Sequence, residues 1–339
     1  MSAAQKLKPA VSGVDASDIF PDAFEVNEVS LPIPGQRNPL APTSNIFYFP
    51  ENALLRRCLA WAYAPVRRRP LGLVGETGTG KSEMAFYLAD KLNMALHLVK
   101  IHGDLNPAEF ECEKQLVEEN GQVVTREVMG AAVLAYRDGG ILLLDELDKA
   151  NESLQACMHL LLEGKPWPLE SGVVIYPHPE CRIICTANTT GSGDSLRYTS
   201  SNRLDQALRS RIGWLRVNYP SQETEHKILN AQFAQLPLAL RQKMQLTAID
   251  LRKAVLGPEM DGNCDNPIGA VFSTRVLVDW CFYTLAFGLK APIRDAYDFV
   301  FGESVDDMDK EIVDAVIQRR WDKEMALTTK EVVDRYAKK

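Results

Sequence analysis

Leu71-Gly72-Leu73-Val74-Gly75-Glu76-Thr77-Gly78-Thr79-Gly80-Lys81-Ser82 joins a short apolar run to a glycine-rich loop that ends in a lysine and a serine. The pattern G-x-x-x-x-G-K-[ST] is complete. A strand signal precedes it and a helical pattern over residues 82–92 follows, which is the context the motif requires. Each fixed position has a physical reason. Gly75, Gly78 and Gly80 let the backbone turn its N–H groups toward an anion. The helix that follows offers its N-terminus to the same anion. Lys81 supplies a point charge to the β- and γ-phosphates of a nucleotide, and the Ser82 hydroxyl is a ligand for Mg²⁺. The candidate nucleotide-binding set is therefore Gly75, Glu76, Thr77, Gly78, Thr79, Gly80, Lys81, Ser82 and Glu83.

Downstream, Gly139-Gly140-Ile141-Leu142-Leu143-Leu144-Asp145-Glu146 reads as a buried strand that stops in two carboxylates. In open parallel sheets, ligands bind at the carboxyl ends of the strands. Asp145 is placed to hold Mg²⁺ through its water shell. Glu146 is placed to orient and polarise an attacking water. Ile183-Ile184-Cys185-Thr186-Ala187-Asn188 is a further apolar strand, ending in an amide. Beside Asp145, Asn188 would hydrogen-bond the γ-phosphate or the attacking water.

Five apolar runs stand out, at residues 71–74, 95–101, 141–144, 182–187 and 213–219, with helical patterns between several of them. Such alternation implies a parallel sheet covered by helices. After Pro220 the strand signals fade; Ser221 is a helix cap, and helical patterns continue to the end. The expected organisation is an irregular, proline-broken segment over residues 1–50, an α/β nucleotide-binding domain over 51–220, and a helical domain over 221–339. In the last, Ile312, Val313, Val316 and Ile317 form an apolar stripe.

Composition narrows the function. The net charge is -7 and the pI about 5.4, against the basic excess of a general nucleic-acid binder. No uncharged apolar run approaches the ~20 residues that span a bilayer, and residues 1–10 lack the apolar core of a signal peptide. The seven cysteines (Cys58, Cys112, Cys157, Cys181, Cys185, Cys264 and Cys281) are odd in number and form no C-x-x-C pair. They read as reduced thiols, hence a cytoplasmic protein.

The phosphate loop, Asp145-Glu146 and Thr186-Ala187-Asn188-Thr189 together resemble an AAA+ ATPase: a P-loop α/β core with a central parallel five-stranded sheet flanked by helices, then a smaller α-helical lid domain. The closer resemblance is to the MoxR branch, and within it to CobS-type ATPase subunits of aerobic cobaltochelatase. It is carried by residues 75–82, by Pro177-His178-Pro179-Glu180 leading into residues 182–191, by Gly193-Asp194, and by Ser273-Thr274-Arg275 followed by Val278-Asp279-Trp280.

The resemblance implies more than the motifs do. The nucleotide is ATP, with Mg²⁺ as cofactor. An arginine after the Asn188 strand reaches into a neighbouring subunit's site, where a cation offsets charge developing on the transferred phosphoryl group. Arg203, Arg209 and Arg211 are the candidates, and Arg211 matches best, although the family's Asp-Arg-aromatic is Ser210-Arg211-Ile212 here. Arg275 corresponds to the arginine with which the lid contacts the γ-phosphate of its own subunit. The assembly implied is a homo-oligomeric ring, a hexamer, working on a von Willebrand factor A-domain partner, with cobalt insertion as one possible outcome. Two hairpin patterns, within residues 110–128 and 163–177, would face the pore or the partner. Ile46-Phe47-Tyr48-Phe49 is a candidate wall for the adenine. The alternative functions are a nucleic-acid motor, for which Arg67-Arg68-Arg69 is the densest basic run, and a non-catalytic nucleotide-binding scaffold.

Overall fold

The computed structural model describes residues 13–64, 69–119, 122–190, 202–257 and 269–338. Arg67, Arg68, the Asn120-Gly121 turn, Gly193-Asp194 and Cys264 lie outside the described residues. The chain divides into two compact units. The first takes in Met1–Ile46, Asn52–Gly75 and Gly80–Val217; the second takes in Phe47–Glu51, Glu76–Thr79 and Asn218–Lys339.

In the first unit, α1 (Asn52–Ala62) is followed by β1 (Leu71–Val74), α2 (Lys81–Lys91) and β2 (Leu96–Lys100). A hairpin of β3 (Cys112–Glu119) and β4 (Gln122–Met129) comes next. Then come α3 (Ala131–Asp138), β5 (Gly140–Asp145), α4 (Glu152–Glu163), β6 (Trp167–Pro168), β7 (Val174–Ile175), β8 (Cys181–Ala187), α5 (Gln206–Arg211) and β9 (Gly213–Arg216). Five strands form one parallel sheet in the order β9-β1-β8-β5-β2. Parallel neighbours need long crossovers, and the intervening helices supply them. With both faces covered, the strands read as continuous apolar runs: all four residues of β1 and Ile141 to Leu144 of β5 are buried. β9 is shorter than the apolar run 213–219 because its partner ends first: Arg216 pairs with Val74, where the phosphate loop begins.

Tyr136, Leu142, Leu144, Leu154, Met158 and Trp167 are part of the core on one face of this sheet. Asn151 starts α4 by accepting a hydrogen bond from Leu154 N at 2.9 Å, a side-chain cap for an otherwise orphan donor. Prolines prevent a long helix before residue 50, yet that stretch has structure. Val14–Asp15 pairs antiparallel with Ser30–Leu31, Asp15 caps a one-turn helix at Ala16–Ile19, and Phe20 and Leu31 are buried.

The second unit holds α6 (Gln222–Gln232), α7 (Leu238–Leu256), α8 (Thr274–Ala286), α9 (Ile293–Val300), α10 (Asp307–Trp321) and α11 (Thr329–Ala337). Ser221 and Ser273 cap α6 and α8, and Thr328 with Glu331 forms a capping box on α11. Met244, Leu251, Phe272, Trp280, Tyr297 and Trp321 belong to its core. The stripe on α10 splits: Val313 and Ile317 are buried, whereas Ile312 is exposed. Among the described residues, no helix is long and apolar enough to cross a membrane.

Candidate nucleotide site

Strand register decides which side chains meet at the carboxyl edge of the sheet. Val74 lies opposite Ala187, and Lys100 opposite Asp145. Gly75, Asn188 and the pair Asp145-Glu146 therefore leave the ends of β1, β8 and β5 side by side, and Gly75 N donates to Ala187 O at 3.3 Å. Lys81 opens α2 and is 9% exposed. An ammonium that far from water needs acceptors. Its Nζ donates to Gly75 O at 2.8 Å and to Asn188 Oδ1 at 3.0 Å. The amide of Asn188 thus spans from the end of β8 to the phosphate loop.

The loop itself depends on two left-handed positions. Gly78 has φ 77° and Gly80, the N-cap of α2, has φ 87°, a region that side-chain-bearing residues avoid. A Cβ at Gly78 would lie 2.4 Å from Ser273 Cβ, both within the second unit. In the same unit, Thr79 Oγ1 donates to Glu76 O at 2.9 Å and Tyr219 OH donates to Thr77 O at 3.0 Å. Glu83 lies in the first turn of α2 and is half-buried.

Asp145 is the hub of a short hydrogen-bond chain. Its Oδ1 accepts from Ser82 Oγ at 2.6 Å and from Thr186 Oγ1 at 2.5 Å. Thr186 Oγ1 in turn accepts from Glu146 N at 3.0 Å. One hydroxyl on β8 thereby orients the Asp145 carboxylate and pins the backbone from which Glu146 projects. Glu146 has φ 61°, a strained setting of the kind that gathers at functional sites. Its carboxylate lies 3.0 Å from Lys149 Nζ and 3.9 Å from Lys100 Nζ. Asp148 is fully buried. Its Oδ2 accepts from Asn188 N at 3.1 Å and Thr189 N at 3.3 Å, which fixes the turn carrying Asn188.

Lys81, Ser82, Asp145, Glu146 and Asn188 are thus brought together at one sheet edge. Arg211 belongs to the same unit but to the other edge. It ends α5 just before β9, whose Gly213 N donates to Pro70 O ahead of β1. Its Nε donates to Glu163 Oε1 at 2.7 Å. The side chain of Arg203 is exposed and that of Arg209 half-buried. Arg275 is exposed in the first turn of α8, in the second unit, two residues beyond Ser273. Ile46 is exposed, and Phe47, Tyr48 and Phe49 are half-buried.

Sequence reasoning placed Thr186 only within the strand-end motif and gave it no role, and it did not single out Asp148 and Lys149. Thr186 left one signal: it is the one hydroxyl in the buried run 183–187. Asp148 and Lys149 left none, because polar residues after a strand are ordinary. The site also fits a hard divalent cation. Ser82 Oγ and Asp145 Oδ1 present two oxygens at the end of β5, the donor type Mg²⁺ takes, and the small protein ligand count matches its habit of keeping waters and phosphate oxygens.

Residues 70–212 match the family model described as the AAA domain, dynein-related subfamily. The aerobic cobaltochelatase subunit CobS of Sinorhizobium sp is 26% identical over 253 residues, 72% of this chain and 73% of that protein. The protein CbbQ of Hydrogenophilus thermoluteolus is 30% identical over 171 residues, 50% of this chain and 59% of CbbQ. A solved structure of a Thermotoga maritima RuvB point mutant aligns with TM-score 0.45 and 14% identity, over 85% of this chain and 76% of that one.

Proposed function

Because the chain is an AAA+ ATPase of the MoxR type, we propose that it works as a head-to-tail ring in which Arg211 of one subunit completes the ATP site of the next. The observation that carries this reading is the placement of candidate groups on one parallel sheet. Lys81, Ser82, Asp145, Glu146 and Asn188 sit at its carboxyl edge, and Arg211 at its amino edge. β5 has six residues; at about 3.3 Å each, the edges are roughly 20 Å apart. That is beyond the reach of one arginine side chain, so Arg211 serves a site other than its own. A surface that donates from one edge and accepts at another is heterologous, and such contacts form a ring when the rotation between subunits closes. A hexamer is the ring we favour.

Within the site, Lys81 and the first turn of α2 bind the phosphates of ATP. Ser82 and Asp145 hold Mg²⁺, which when bound neutralises charge on the phosphate oxygens. Thr186 keeps the Asp145 carboxylate in place. Glu146 takes the proton of the attacking water, and Asn188 positions that water or the γ-phosphate. Arg275 acts from the second unit of the same subunit. Its near neighbour Ser273 lies against Gly78, both within the second unit; a cation that contacts the γ-phosphate would make the position of α8 sensitive to nucleotide state.

Turnover drives a partner protein. The two hairpins supply a surface for one: Leu116 and Val123 on the first, and Val173, Val174 and Tyr176 on the second, are exposed. A von Willebrand factor A-domain protein is the partner class we favour, and a cobaltochelatase complex the client to test first, given the extent of the CobS match. We place the protein in the cytoplasm. A nucleic-acid motor would use the same ATP site but is poorly served by a net charge of -7. The test is ATP turnover against protein concentration for the wild type and Glu146→Gln, alongside mass by light scattering. Turnover that rises more than linearly as a ring forms, and is lost in the variant while ATP still binds, supports the reading. Turnover strictly proportional to concentration from a monomer removes Arg211 from the site.

A further inference from the structure

Arg211 is held in a particular way within its own subunit. Its Nε and Nη2 both donate to one carboxylate oxygen, Oε1 of Glu163, the first at 2.7 Å. Its Nη1 donates to Ala207 O, one helical turn back on α5. A guanidinium has five N–H donors. Three are engaged on the inner side, and two remain, one on each terminal nitrogen. A parallel pair of that kind grips a phosphoryl group bidentately. Among the described residues, no carboxylate contacts Arg203 or Arg209 in this way.

The position of Glu163 has no evident local reason. It is the last residue of α4, where the helix macrodipole disfavours a negative charge. What holds it there is cationic: Lys165 pairs with the same carboxylate that Arg211 uses. Lys165 first, and then Arg211, keep the Glu163 carboxyl below the usual range. Both partners of the Arg211 pair are about a quarter exposed (26% and 22%), so the guanidinium stands at the surface yet is not loose. The backbone beneath it is fixed too, since Ile212 N donates to Arg209 O and Gly213 N to Pro70 O.

We propose that Glu163 is a positioning residue for catalysis in the neighbouring subunit: it clamps the inner edge of the Arg211 guanidinium so that the outer edge is presented to the neighbour's ATP. This rests on the reading of Arg211 given above. The clamp lowers the entropy that a free arginine would lose on reaching the phosphate. A misplacement of about 1 Å in such a group costs roughly 100-fold in rate.

The experiment uses whole assemblies of Glu163→Gln, which removes the charge and keeps the shape, and of Arg211→Ala. Each is assayed alone and mixed with Glu146→Gln, which keeps Arg211 and Glu163 but cannot turn over its own ATP. Glu163→Gln alone should lose about 10- to 100-fold in kcat, with KM within about twofold. Mixing with Glu146→Gln should raise its turnover toward about half the wild-type value per Glu146-bearing subunit, because about half of those sites then face an intact clamp. Glu163→Asp keeps the charge and should fall between; it carries the same mixing test if Glu163→Gln does not fold, as judged by circular dichroism. Full kcat in Glu163→Gln overturns the proposal. A loss that mixing does not repair overturns it as well, because the defect then lies in the variant's own subunit. If Arg211→Ala is fully active, or is not repaired by mixing, the fault lies with the reading of Arg211 itself.

Discussion

The two edges of the central sheet are built differently. At the carboxyl edge, bonds run between groups drawn in from adjacent strand ends: ammonium to carbonyl and amide oxygens at Lys81, hydroxyls to carboxylate at Asp145. Thr186 and Asp148 there are almost wholly buried. At the amino edge the tie is an ion pair between the ends of two helices, about a quarter exposed to water. Buried groups tied by several hydrogen bonds are preorganised within one chain. A partly exposed pair is weak by itself and is suited to being used by something else. On the proposed reading of Arg211, the contrast means that each subunit would carry one finished half-site and one half-site on offer.

The largest effect tests the finished edge. Glu146→Gln should reduce ATP turnover by about 1000-fold or more while leaving ATP affinity within a few-fold, since an amide keeps the shape but accepts no proton. Turnover and binding measured on the same preparation check this. Retained turnover would remove the base from β5.

Arg211→Ala should cost about 1000-fold in kcat, the lower end of what a finger arginine supplies, with thermal stability nearly unchanged. A drop in melting temperature with unchanged kcat would make the pair with Glu163 a structural surface contact and dissolve the contrast between the edges.

Thr186→Val sharpens the picture of the carboxyl edge. It removes the hydroxyl that orients Asp145 and strands the N–H of Glu146. An unsatisfied buried donor costs about 1–3 kcal/mol, and the apparent Mg²⁺ requirement should rise with it. A variant that hydrolyses ATP normally at low Mg²⁺ would show that Asp145 does not need the relay.

The smallest effect on turnover comes from a control in the second unit, outside the sheet. In the helical unit, burial alone would raise the Glu324 carboxyl, but hydrogen bonds from Lys243, Arg335 and Tyr336 outweigh it and hold it at about 2. A carboxyl depressed on folding stabilises above its unfolded value of 4.5 and loses that contribution as pH falls toward its folded value. Glu324→Gln should therefore lower stability on the order of 2 kcal/mol at pH 7, with the difference from wild type shrinking below about pH 4. Denaturant unfolding at both pH values measures this, and kcat should not move.

How much of this was legible beforehand follows the same division. The five strands and a parallel sheet covered by helices could be read from the chain, as could the candidate residues 75–82, 145, 146 and 188, because each lies in a contiguous pattern with a fixed spacing. Thr186 was legible only in retrospect, as a polar atom in an apolar run. Glu163 was not legible at all: it lies 48 residues from Arg211, and only the folding of α4 back to the amino edge brings the two together. In residues 13–50 the prolines announced what cannot form, but not the pairing of Val14–Asp15 with Ser30–Leu31.

The central claim is that the two edges of one subunit belong to two different ATP sites. The most direct test mixes two variants that are each inactive alone, Arg211→Ala and Glu146→Gln. If the edges serve neighbouring sites, about one interface in four in a random 1:1 ring joins an intact Glu146 to an intact Arg211, and turnover should reappear at about a quarter of the wild-type rate. Continued inactivity of the mixture, with ring mass and subunit exchange confirmed by light scattering and labelled subunits, would contradict it.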